Sequence, residues 1–182
     1  MKMNPLKDVK SLDRIKEHLK ERNRRDYLFF LLGIGTGLKL MELLNLQVRD
    51  ISSTVEYIGV NREGSGEYLA VKLPDELKEE LQRYVVGKKP EDYLLPSRKG
   101  ENKPIKRKAA HGILKRLEDD LNLPPIGALT LRKTFGYHYY QETGETLYLQ
   151  KLFNHEYAAT TLRYIDITHE NMNRNIKKMP YI

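Results

Sequence analysis

The sequence predicts a mostly helical α+β fold carrying one small antiparallel β-sheet or hairpin. Apolar residues recur every three or four positions in SLDRIKEHLKER, DELKEELQRYV and KRKAAHGILKRLEDDL, the spacing of one helix face. β-Formers gather at one place, VEYIGVNREGSGEYLAVKL, on either side of a Gly-Ser-Gly turn. With 182 residues and 40% apolar content the chain is long enough for one compact domain with its own core.

Each element follows in order. Ser11 is placed to cap a helix over residues 11–22, with Leu12, Ile15 and Leu19 as a narrow apolar stripe on a charged surface helix. Asp26 is placed to cap the next, YLFFLLGIGTG, which is apolar all round and therefore buried. Gly35 and Gly37 end it, and a short helix from Leu40 to Leu46 follows. After the hairpin, Pro74 stops the second strand, and Leu77, Leu81 and Val85 mark a further helix. KKPEDYLLPSRKGENKP reads as an irregular basic loop. Ile113, Leu117 and Leu121, beside Ala110 and Leu114, form the inner face of an amphipathic helix that Leu123-Pro124-Pro125 terminates. Helical segments lead to Tyr164, and HENMNRNIKKMPYI is a polar tail. The expected outline is two or three helices, a hairpin or three-stranded sheet, then four or five helices.

Charge points to a polyanionic partner. The net charge is +7, and the segment from Arg98 to Leu117 holds eight Lys/Arg against one Glu, a local excess as large as that of the whole chain. A run of like charge is most often a solvated face, but this concentration favours nucleic acid. Lys106, Arg107, Lys108 and Lys115 are the expected phosphate contacts, with Arg62 on the hairpin. Such contacts position a protein without specifying a sequence. The chain has no cysteine, which excludes disulfides and thiolate chemistry. His18, His111 and His169 lack the spacing of metal ligands, so no metal and no cofactor is assigned. The segment Tyr27 to Ile34 is too short to span a bilayer, and MKMNPLKDVK lacks the apolar run of a signal peptide. A cytoplasmic protein is expected.

The chemistry-bearing stretch is residues 129–167, LTLRKTFGYHYYQETGETLYLQKLFNHEYAATTLRYIDI. Arg132 sits in an apolar frame, Asn154-His155 follows, and Tyr164 stands nine positions later behind ATTLR. Upstream, Thr36, Gly37, Leu38, Glu42, Leu43, Asp50 and Ile51 form a second cluster. In order, spacing and flanking residues these two stretches resemble the tyrosine recombinases, the phage-integrase family, and the likeness to that family's catalytic domain covers almost the full chain. Fewer than 30 residues precede Asp26, so a separate core-binding domain is not expected.

The resemblance implies a mechanism. Tyr164 would attack a scissile phosphodiester, leaving a 3′-phosphotyrosyl link and a free 5′-hydroxyl; that hydroxyl, or another, later reverses the step without ATP or metal. Arg132 would take the position of an arginine that stabilises the transition state, His155 that of a phosphate-contacting residue, and Lys39 that of a first arginine. The pattern departs at three places. Lys39 keeps the charge but loses the guanidinium fork. Leu129 stands where a histidine precedes Arg132 by three. Gly64 stands where a hairpin lysine would act as general acid. Removing one preorganised donor typically costs about 100- to 1000-fold, so the expected activity is reduced. The other reading is a catalytically inactive pseudo-recombinase, a DNA-binding regulator or accessory factor of a mobile element. Partners implied are double-stranded DNA and a homo-oligomer assembled through the tail, in a prokaryotic or phage setting.

Taken singly these residues are unremarkable. With twelve tyrosines in the chain, one on a helix is ordinarily packing; a lone arginine is ordinarily a salt-bridge partner, and a lone histidine a satisfied one. His138, Lys133, Tyr139, Tyr140 and Phe135 are expected to pack or to be solvated.

Overall fold

The computed structural model describes residues 3–51, 53–62 and 66–168. Among these, three α-helices and a short 3-10 turn (Val48–Asp50) precede a hairpin and five α-helices follow it. The helices are α1 (Val9–Arg22), α2 (Arg24–Thr36), α3 (Leu40–Leu44), α4 (Asp75–Tyr84), α5 (Arg107–Leu121), α6 (Ala128–Thr143), α7 (Leu147–Phe153) and α8 (Ala158–Tyr164). The strands β1 (Tyr57–Asn61) and β2 (Tyr68–Lys72) pair antiparallel with Gly59 opposite Ala70. No third strand forms on the hairpin among the described residues; a single bridge joins Ile51 to Ile58 of β1, and isolated bridges elsewhere join Gln47 to Tyr93 and Pro96 to Pro104. The mostly helical α+β fold with a small antiparallel sheet is therefore what the chain forms.

Helix α2 is the central element. Leu28, Phe29, Phe30 and Leu32 have no exposed surface, and the helix packs against α1, α4 and α6. Fully burying one such side chain contributes roughly 1.5–3 kcal/mol, so an all-apolar helix of this kind gathers its neighbours rather than forming a face. Close approach to α6 requires Gly33, where a Cβ would lie 2.6 Å from Leu131 Cδ1.

Several local expectations change. Asp8 caps α1, accepting from the Lys10 and Ser11 amides, and Ser11 lies inside the first turn with its hydroxyl on Asp8. Asn23 caps α2 by accepting from the Asp26 amide at 3.1 Å, which leaves Asp26 buried within the helix and paired with Arg25. The loop over residues 88–104 is anchored rather than loose. Leu94 and Leu95 are fully buried, and the Leu94 amide donates to Leu46 O. The Arg132-to-His155 stretch is two helices, divided at Gly144, whose φ of 70° ends α6. The N-terminal segment docks on α6: the Leu6 amide donates to Thr134 Oγ1, Lys133 Nζ donates to Met3 O, and His138 Nε2 meets Leu6 O. The polar tail HENMNRNIKKMPYI, and Gly64 with it, lies outside the described residues. No helix of the described residues is long and apolar enough to cross a membrane.

Candidate active site

Helices α5, α6, α8 and the turn before α3 enclose a cleft of about 440 Å³. Lys39, Leu129, Arg132, His155 and Tyr164 all line it. The structure thus brings together side chains separated by up to 125 positions in the chain, including all four expected catalytic residues.

Arg132 is held from behind. It is 5% exposed, its Nη1 donates to Gly37 O and its Nη2 to Leu152 O at 3.1 Å. The Phe153 ring lies 4.6 Å from the guanidinium carbon. The Thr36-Gly37-Leu38 stretch explains the first of these bonds. Thr36 Oγ1 donates to Leu32 O and accepts from the Leu38 amide, closing α2, and Gly37 turns with φ +64°, which presents its carbonyl inward. A Cβ at Gly37 would stand 2.4 Å from Phe135 Cδ1, so the position also needs a side chain of one hydrogen.

Tyr164 is the last residue of α8, half-buried against Phe153 and His155, with ring centroids 5.1 Å away in both cases. Burial raises its pKa above the ordinary phenol value, and the Arg132 charge works against that rise. The positive charge therefore favours the phenolate, the nucleophilic form. His155 follows Asn154, whose φ of 59° ends α7, and its Nδ1 lies 3.0 Å from Oγ1 of the fully buried Thr161. Burial, then the Arg132 charge, lowers its pKa. Lys39 is exposed at the rim, its amide donating to Glu42 Oε2. Leu129 is 53% exposed in the same cleft.

Arg62 corrects an expectation. It was placed among the DNA-facing cations but is only 8% exposed; its guanidinium donates to Lys151 O and Leu152 O and pairs with Glu42 at 3.6 Å and Glu67 at 3.3 Å. The last carbonyls of α7 have no partners within the helix and carry the negative end of its dipole, which draws the cation inward. Of the upstream cluster, Asp50 acts locally, accepting from the Gln47 amide at 2.7 Å, whereas Glu42 both accepts from the Lys39 amide and pairs with Arg62.

The basic turn of α5 divides between two surfaces. Arg107 reaches the cleft beside His111, whereas Lys106 and Lys108 line a separate groove with Arg98, Lys99 and Arg116. Lys115 is exposed but pairs with Glu118 and Asp119 on its own helix. His111, which the sequence singles out only as lacking metal-ligand spacing, lines the cleft; its spacing of four from Arg107 is the signal that the two share one face of α5.

Residues 7–171 match the model of the phage integrase family. The chain belongs to the phage integrase family. Among curated relatives it is 33% identical over 165 residues to a probable integrase/recombinase, YoeC, of Bacillus subtilis, an alignment covering 91% of this chain and 90% of that protein. The fold of this integrase-family chain matches the crystal structure of XerA recombinase with a TM-score of 0.79 at 20% identity, over 99% of this chain and 68% of that one. It matches XerH site-specific recombinase bound to its difH substrate with a TM-score of 0.73 at 18% identity, over 100% of this chain and 56% of that one. Against longer members of the family, such as the tyrosine recombinase of Pseudothermotoga lettingae, the chain spans about half of their length.

Proposed function

We propose that this chain cuts and rejoins DNA strands at specific sites through a 3′-phosphotyrosyl intermediate on Tyr164. The observation that carries the reading is the shared cleft: a tyrosine and a buried, backbone-anchored guanidinium on one concave surface, with His155 edge-on to the tyrosine ring and Lys39 at the rim. Family membership and the relatives named as recombinases support it.

In the forward step the Tyr164 Oη–P bond forms as the P–O5′ bond breaks. The phenolic proton is lost and the departing 5′-oxygen gains one. Arg132 is fixed before the reaction, so its charge meets the developing negative charge of the phosphorane-like transition state without reorganisation. His155, oriented by Thr161, presents Nε2 to a non-bridging oxygen. Rejoining reverses each step. Arg107 at the cleft and Lys106 and Lys108 in the adjoining groove would neutralise phosphates of double-stranded DNA. The proposed setting is the cytoplasm of a prokaryote, with described residues acting as one catalytic-domain-like unit.

The testing experiment is covalent capture. The protein is incubated with nicked, partly randomised duplexes and denatured in SDS, beside Tyr164→Phe. A DNA-linked band lost in the variant supports the reading; salt-sensitive binding without a band supports the second reading, a DNA-binding pseudo-recombinase. That reading draws on Leu129 and Lys39, which leave the cleft with one guanidinium at its floor and an apolar side chain on its wall. Assembly through residues 168–182 is tested separately by size-exclusion with and without them, an unchanged oligomeric state counting against it.

A further inference from the structure

The cleft around Tyr164 has a wall whose chemistry the four expected residues do not use. Helix α5 contributes Arg107 and His111, one turn apart and both exposed. The neighbouring wall is Leu129, which offers neither a donor nor an acceptor.

Transesterification at this site makes two proton demands: one proton leaves Tyr164 Oη, and one reaches O5′ as its bond to phosphorus breaks. An alkoxide leaving without a proton is a poor leaving group, so the second demand bears directly on the rate. The cleft holds five side chains that carry or accept protons other than Tyr164: Lys39, Arg107, His111, Arg132 and His155. Guanidinium groups keep their protons, which removes Arg107 and Arg132 as donors. His155 is committed on one ring nitrogen to Thr161, stands edge-on to the Tyr164 ring and is biased by burial and by Arg132 toward its neutral form. It is therefore suited to accept a bond, or to orient, rather than to deliver a proton. Lys39 supplies charge at the rim but begins α3 and belongs to the opposite wall, next to Glu42 and the groove leading to the hairpin. His111 differs from all of these. Among the described residues its ring has no hydrogen-bond or ion-pair partner, it is exposed to the cleft, and imidazole is the side chain that exchanges a proton most readily near neutral pH.

We propose that His111 is a further catalytic residue: it donates the proton to the departing 5′-oxygen in cleavage and takes it back in rejoining. This rests on Tyr164 being the nucleophile. The bookkeeping closes, since the Tyr164 Oη–P bond replaces the P–O5′ bond, the phenolic proton passes to water in the open cleft, and His111 re-protonates from the same water. The adjacent Arg107 meets a non-bridging oxygen of the same phosphate, placing O5′ within reach of the imidazole.

The experiment uses the full chain and two pools of nicked duplexes, with randomised arms around one central step. One pool has the ordinary oxygen at that 5′ position, the other a bridging sulfur, which departs as a thiolate and needs no proton. Adduct formation is timed for the unchanged protein, His111→Ala, Lys39→Ala and Tyr164→Phe. The exposed position and the good helix propensity of alanine keep the His111→Ala fold intact, checked by circular dichroism. The expected result is a loss of about 100-fold or more for His111→Ala on the oxygen pool and a rate near that of the unchanged protein on the sulfur pool, with Lys39→Ala impaired on both. The proposal is overturned if His111→Ala matches the unchanged protein on oxygen, if it is impaired equally on both pools, or if Lys39→Ala is the variant that sulfur rescues. An unchanged protein that reacts only with sulfur also overturns it, because no residue then serves as the donor. Absence of adduct from either pool strikes the Tyr164 reading itself, a distinguishable outcome that takes this inference with it.

Discussion

Arg62 and Arg132 donate to the same acceptor, the carbonyl oxygen of Leu152 at the C-terminal end of α7. One arginine comes from the end of β1 and the other from α6, so the hairpin, the cleft floor and the helix leading to His155 meet at one backbone atom. The Arg62 charge also tends to lower the Arg132 pKa, opposed by Glu42 and Tyr164, while burial is the largest cause of its lowering. The two cations are close enough to need the acidic groups around them.

Arg62→Met should therefore destabilise the protein by about 3 kcal/mol, the lower end of what breaking a buried ion pair costs. Glu42 would be left without its cationic partner and the α7 end with one donor fewer. Urea unfolding measures the loss, and Arg62→Ala should cost at least as much. A midpoint unchanged in Arg62→Met would mean that Glu42 is adequately served by the Lys39 amide alone.

Gly37→Ala should lose both stability and adduct formation. The left-handed backbone and the 2.4 Å approach to Phe135 each resist a methyl group, and the destabilisation should exceed about 1 kcal/mol. Because the Gly37 carbonyl holds Arg132, the adduct rate should fall even at temperatures where the variant remains folded. Thermal melts paired with covalent capture separate the two effects.

Lys39→Arg should accelerate adduct formation by about tenfold, less than the 100-fold or more that removing a preorganised donor usually costs. The side chain is exposed at the rim, so the larger head group fits without repacking. Timed capture with the same duplex pool decides it, and a slower variant would show that the lysine is matched to this cleft.

Stability should decline on acidification through His155. Its folded pKa lies below the ordinary value, because of burial first and the Arg132 charge second. Between the folded and unfolded values the unfolded chain binds more protons. The contribution is thus fully present above about pH 6.5 and is lost as pH falls through the folded value. Urea midpoints for the unchanged protein and His155→Gln, at pH 7.5 and below 6, should converge in acid.

The salt dependence of DNA binding should distinguish the basic side chains. Lys106→Ala and Lys108→Ala should each reduce the slope of log K against log salt by about 0.9. Lys115→Ala should leave it nearly unchanged, since Glu118 and Asp119 already occupy that ammonium group. Fluorescence anisotropy over a salt series gives the slopes.

Much of this was legible in the chain itself. The helix periods and the single β-rich stretch carry the fold, because an amphipathic helix and a hairpin announce themselves over short windows. Arg132, His155 and Tyr164 were legible as a set through their spacing, and Gly37 as a helix stop. What could not be read depends on contacts between distant segments. Whether Arg62 faces solvent or the end of α7 is decided by carbonyls 89 and 90 positions away. His111 shares one face of α5 with Arg107, but what that face meets is fixed only in the fold, where both line the cleft with residues of α6 and α8. Leu94 and Leu95 were hidden in a run of prolines, lysines and glycines whose composition resembles a free loop, although both side chains are fully buried.

The docking of residues 3–7 on α6 has a consequence for synthesis on the ribosome. Met3 and Leu6 bond to side chains 128 to 132 positions downstream, and Lys7 bonds to Asp166, 159 positions away. At about 5–20 residues per second, the nascent segment waits roughly 6 to 30 seconds before any of these partners has been made. Residues 3–7 are thus among the last parts of this fold to settle, and their docking reports that α6, with Arg132 on it, has emerged and folded.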